Sequence, residues 1–219
     1  MADAADAAAP SITAKSLTEG IGTFFLVFTI AMVVIEPGAG TLAPVAIAGV
    51  LAAMIYAGGH ISGAHYNPAV TLAVMLRGKC PTVDVVPYIV VQLAGAAAAS
   101  FLALFLKGDA EITPVEIDIV PALLAEFVFT FALVYVILNV ATAPANEGNS
   151  FFGFAIGITV LAGAYAVGGI SGGAFNPAVA MGLGITGLVE WADLWVHLVA
   201  QVAAAVAAAV VFKAVVRPS

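Results

Sequence analysis

An asparagine followed by proline and alanine occurs twice in this chain, as Asn67, Pro68 and Ala69 and again as Asn176, Pro177 and Ala178. Asparagine is a strong helix N-cap, and proline loses nothing at the first helical position, so each copy predicts a loop that launches a helix. The asparagine can accept a bond from its own helix and still offer an amide N–H to a passing molecule. Behind it, the helix N-terminus adds roughly half a positive charge. Two such ends face to face would receive neutral hydrogen-bonding molecules and oppose cations and protons. One Asn-Pro would read as an ordinary turn. Here, aligned asparagine on asparagine, residues 61–70 and 170–179 agree at seven of ten positions, so the peptide is a true repeat.

Other residues able to do chemistry are few. Glu19 and Glu126 lie inside apolar stretches, where a carboxylate is costly unless it faces protein or a water path. His60 and His65 flank the Gly-rich run before the first asparagine, with no third ligand in sequence reach, so no metal site is expected. Cys80 is the single cysteine, which excludes an intrachain disulfide and a cysteine-based metal centre. His197, near Trp191 and Trp195, reads as interfacial or packed. No Ser/His/Asp, HExxH or Cys/His arrangement supports an enzyme, and no cofactor is implied.

The elements that must hold these residues follow from composition. Apolar residues make up 63% of the chain and charged residues 9%, with a mean hydropathy of +1.14, far from the soluble norm. This composition describes an all-α integral membrane protein surrounded by lipid. Net charge is −7 with no basic stripe, which disfavours nucleic acid. Six stretches are long enough to span a bilayer: 15–35, 42–59, 82–106, 117–141, 150–168 and 193–215. The Asn-Pro-Ala helices fall between the second and third spans and between the fifth and sixth. From Asn67 to Arg77 a helix reaches only about 16 Å, half of a core about 30 Å thick. Each is therefore predicted to re-enter from its own side, with its N-terminus near the midplane.

The repeat covers the chain. Asn67 and Asn176 stand 109 residues apart, as do Gln92 and Gln201, and Glu19 and Glu126 stand 107 apart. Each copy holds three spans, so the second must be inverted relative to the first. The expected organisation is a mobile tail over residues 1–13 and one transmembrane domain over 14–219, built of inverted repeats at about 14–107 and 117–217. Lys15, Arg77, Lys79, Lys213 and Arg217 fall on one side and Lys107 on the other, which predicts cytoplasmic termini in a plasma or inner membrane.

Taken together, the twin Asn-Pro-Ala motifs, the HISGAH peptide at 60–65, Glu19, Glu126, and Gln92 with Gly95 resemble the aquaporin and glycerol-channel superfamily, the major intrinsic proteins, over nearly the whole chain. The resemblance implies a homotetramer with one pore per subunit, passing water and small neutral solutes while excluding protons. It also implies that Glu19 and Glu126 brace the re-entrant loops, with His60 and His65 bracing and lining the pore. By the family's spacing the selectivity constriction falls on Ile47, Ala164, Gly173 and Val179. Val179 stands where most members carry arginine, so a wide apolar opening is expected, closer to the vacuolar intrinsic proteins of plants and open to ammonia, hydrogen peroxide or urea. Glycerol facilitators carry an aspartate where this chain has Ala180, which makes that alternative weaker. A secondary transporter of a neutral solute also fits inverted repeats and broken helices, but it would need an ion-coupling site that the spans lack.

Overall fold

A computed structural model describes residues 9–216. Eight α-helices and three short 3-10 turns account for its regular structure, with no strand among the described residues. The helices are α1 (Ile12–Val34), α2 (Ala43–Ser62), α3 (Pro68–Leu76), α4 (Thr82–Lys107), α5 (Ile119–Thr142), α6 (Phe152–Ser171), α7 (Pro177–Thr186) and α8 (Leu194–Val215). Six are long and apolar enough to cross a membrane, and α3 and α7 are the two short pieces between them.

Helix α1 begins inside the stretch 1–13 expected to be a tail. Ser11 caps α1, its hydroxyl accepting from Ala14 N at 3.2 Å, so the helix already runs at Ile12. A serine before an apolar run is a standard helix start. Residues 1–8, and Arg217 at the other end, lie outside the described residues. The spans expected at 42–59 and 150–168 continue to Ser62 and Ser171, each closed by a left-handed glycine, Gly63 at φ 88° and Gly172 at φ 83°. Glycine takes that conformation without a Cβ penalty, which lets the chain turn back toward the bundle interior.

Packing obeys the repeat. Helix α1 lies against α4 and α2, as α5 lies against α8 and α6, and α2 packs on α6 across the two halves. Each short helix also rests on the closing helix of the opposite repeat, α3 on α8 and α7 on α4. Small residues permit these approaches. A Cβ on Gly95 would stand 2.5 Å from the Gly20 carbonyl at the α1–α4 crossing, and one on Gly157 would stand 2.7 Å from the Ala48 carbonyl at the α2–α6 crossing. At 1.5 Å per residue, the nine residues of α3 and ten of α7 extend about 14 and 15 Å. Both are too short to cross, and both begin where the two repeats meet.

Candidate functional site

Each short helix is launched in the same way. Asn67 Oδ1 accepts from Ala69 N at 2.9 Å and Val70 N at 3.3 Å, and Asn176 Oδ1 accepts from Ala178 N at 2.9 Å and Val179 N at 3.5 Å. Pro68 and Pro177 take the first helical position. The loops before them are strained. Ala64, Tyr66 and Phe175 hold φ of 52°, 49° and 50°, a region that residues with a Cβ rarely occupy. Such geometry persists only where the surroundings over-determine it.

Glu19 and Glu126 supply that determination. Glu19 Oε1 accepts from the Ser62 hydroxyl at 2.7 Å and His65 N at 2.9 Å, while Oε2 accepts from Tyr66 N at 2.6 Å and Gln92 Nε2 at 2.9 Å. Glu126 repeats the pattern, with Ser171 Oγ at 2.7 Å and Ala174 N at 2.9 Å on Oε1, and Phe175 N and Gln201 Nε2 at 2.8 Å on Oε2. Both carboxyl groups are fully buried, and each receives four donors, which compensates for burying it. Further bonds close each loop from behind: Tyr88 Oη donates to Ser62 O at 2.7 Å, and His197 Nε2 meets Ser171 O at 2.7 Å.

The loops meet through the asparagines. Asn67 Nδ2 donates to Phe175 O at 3.0 Å, and Asn176 Nδ2 donates to Tyr66 O at 2.8 Å. Each amide has two protons, so one remains after the cross-loop bond.

Two cavities open on either side of this junction. The far cavity, away from the chain's start, has a volume of about 310 Å³ and is lined by both asparagines. A terminal-side cavity of about 640 Å³ is lined by Lys15, His60, Lys79, Cys80 and Asp84, together with the α5–α6 loop. Ile55, Ala64, His65, Val70, Ile137 and Ile156 line both, so the two adjoin at the level of the short helices. Within the terminal-side cavity Lys15 and Asp84 form an ion pair at 3.0 Å.

The residues singled out in the sequence divide accordingly. Ile47, Ala164, Gly173 and Val179 all line the far cavity. His65 stands at the junction, its backbone N–H held by Glu19. Pro68, Ala69, Pro177 and Ala178 are buried and form the first turns of α3 and α7. His60 lies on the last turn of α2 rather than in the loop; its imidazole makes no hydrogen bond among the described residues and lines the terminal-side cavity. His197, expected to be interfacial or packed, is wholly buried and bonded to the second loop. Sequence reasoning missed Ser62, Ser171 and Tyr88. The two serines belong to the repeated peptide, and Tyr88 and His197 share the 109-residue spacing, but their differing types hid the correspondence.

Comparison with known proteins agrees with this architecture. The family described as Major intrinsic protein matches residues 6–212. Aquaporin NIP1-1 of Oryza sativa subsp. japonica is 39% identical over 199 residues, covering 86% of this chain and 69% of that protein. Putative aquaporin NIP4-1 of Arabidopsis thaliana is 35% identical over 202 residues, covering 87% and 70%. The fold is similar to the X-ray structure of the aquaglyceroporin from Plasmodium falciparum, with a TM-score of 0.79 and 22% identity over 95% of this chain and 98% of that one. Matched over nearly all its length by family and relatives alike, the chain belongs to the major intrinsic protein family.

Proposed function

We propose that this passive channel for water and small neutral solutes has a broad, apolar filter formed by Ile47, Ala164, Gly173 and Val179, which also admits ammonia, hydrogen peroxide and urea. Proton exclusion is assigned to the facing starts of α3 and α7 at Asn67 and Asn176. One observation carries the reading. Among the described residues lining the far cavity there is no Asp, Glu, Lys or Arg. An ion entering there would shed its hydration with no opposite charge to replace it, whereas a small uncharged molecule pays much less. Like any channel of this family, the protein moves solute down its gradient and is not an enzyme.

Stopped-flow light scattering on vesicles containing the protein tests the reading, with water, urea, glycerol and ammonia compared in turn. Fast water flux with measurable urea and ammonia flux is expected, unchanged when proton and sodium gradients are collapsed. Flux that vanishes with those gradients would favour a secondary transporter. Glycerol flux exceeding that of water would favour a glycerol facilitator, a reading against which Ala180 stands.

A homotetramer in the lipid bilayer, one pore per subunit, is the assembly proposed by analogy with the family. Cytoplasmic termini are supported by Lys15 and Lys79 on the terminal-side cavity, with Lys107 at the opposite end of α4, and a plasma or inner membrane is proposed with them. Chemical cross-linking in vesicles and protease access to a terminal tag test the two statements.

A further inference from the structure

We infer that Thr71 fixes the tautomer of His65, so that a bare Nε2 faces the pore and accepts hydrogen bonds from permeating N–H and O–H groups. The inference rests on the pore reading above and adds a positioning residue to it.

A threonine hydroxyl has one proton and two acceptor sites. The Thr71 hydroxyl lies 3.1 Å from the Asn67 carbonyl, the backbone oxygen one turn earlier, and we place its proton there. One acceptor site receives Gln92 Nε2 at 3.1 Å. The orientation of that amide is settled independently, because the same nitrogen donates to Glu19 Oε2 at 2.9 Å and a carboxylate oxygen can only accept. The remaining neighbour of the hydroxyl is His65 Nδ1 at 3.1 Å. With the hydroxyl proton on the Asn67 side, Thr71 accepts from His65, and Nδ1 carries the hydrogen. A neutral imidazole protonated on Nδ1 has its lone pair on Nε2.

The surroundings keep this arrangement. Thr71 is fully buried, which removes competition from water. The ring of Tyr88 stands edge-on to His65, with centroids 5.3 Å apart, and limits rotation of the imidazole. Nε2 itself forms no hydrogen bond among the described residues, although His65 lines both cavities where they join. Gly63 leaves space beside it, since a Cβ there would come 3.3 Å from Nε2. The second repeat lacks the pair, with Ala174 and Ala180 standing 109 residues after His65 and Thr71. One side of the junction therefore carries a side-chain acceptor, and the other offers backbone only.

Nitrogen NMR on the full chain in lipid vesicles, with isotope-labelled histidine, reads the tautomer directly. His65 signals are identified by their loss in His65→Ala. His197 serves as an internal reference, because its Nε2 points at a carbonyl and must be protonated. Protonated Nδ1 and bare Nε2 are expected for His65 in the native protein and in Thr71→Ser. In Thr71→Val, a mixture of tautomers and a fall in water permeability of about threefold are expected, with Thr71→Ser restoring both. A protonated, neutral Nε2–H form of His65 in the native protein would overturn the inference, whether or not Thr71→Val inserts. So would a Thr71→Val protein with native tautomer and native flux. Native vesicles that pass no solute would instead overturn the pore reading, and this inference with it, while the tautomer is still read.

Discussion

The side-chain amide of Asn67 donates to the carbonyl directly before Asn176, and the amide of Asn176 donates to the carbonyl directly before Asn67. The two residues thus do double duty, capping their own helices and tying the opposite loop. Neither task alone would fix where the short helices sit. Together they lock both N-termini at one level, and the positive ends of α3 and α7 act on the same short length of the pore.

Asn67→Asp and Asn176→Asp separate those tasks. Aspartate caps a helix as well as asparagine does. It has no proton for the cross-loop bond, and an unpaired buried carbonyl costs about 1–3 kcal/mol. The new negative charge also offsets the helix-end field that opposes cations. Either variant is expected to raise proton leak about tenfold, the change produced by about 1.4 kcal/mol, in vesicles loaded with a pH-sensitive dye. A proton leak at the native level would remove the helix ends from the exclusion mechanism.

Glu19→Gln and Glu126→Gln probe the loop braces. A carboxylate accepts on both oxygens, whereas glutamine accepts on one and turns an N–H group toward the other two donors. Two buried donors left unpaired cost about 2–6 kcal/mol. Thermal unfolding in detergent is expected to show both variants markedly destabilised, and to a similar degree, since the four-donor pattern is the same in each repeat. Native melting temperatures would show that the loops hold their left-handed residues without the carboxylates.

Val179→Arg tests the filter. Val179 is buried in the first turn of α7 and lines the far cavity, so a guanidinium there would fill space and add donors among apolar walls. Urea and ammonia permeabilities are expected to fall more than that of water, by about tenfold relative to it. Unchanged ratios would exclude Val179 from the constriction.

Cys80 gives a pH prediction. Burial first, and the nearby Asp84 charge second, push its thiol up to about 11. Between the ordinary value of 9.0 and about 11 the folded protein keeps a proton that the unfolded chain has lost. Stability from this group is therefore complete below 9.0 and falls as pH rises through that window. Maleimide labelling is expected to be slow at neutral pH and to accelerate only near the top of the window, because the thiolate is the reactive form. Rapid labelling at neutral pH would contradict the burial of this thiol.

The sequence alone determined the six spans, the inverted repeat and the starts of both short helices. Span length follows from apolar content, and Asn-Pro at a helix start acts through atoms two or three residues away, so both are local properties. The likeness around Asn67 and Asn176 made the repeat visible for the same reason. What only the tertiary structure decided is which distant groups meet. Tyr88 and His197 perform matching tasks with unlike side chains, His60 lies in the last turn of α2 instead of the loop, and the Asn67 amide finds a carbonyl 108 residues away. Those pairings depend on how closely α1 and α4, and α5 and α8, approach through small residues such as Gly95. Hydrophobic burial is non-directional, so apolar pattern can call for such packing without specifying the hydrogen bonds that packing brings within reach.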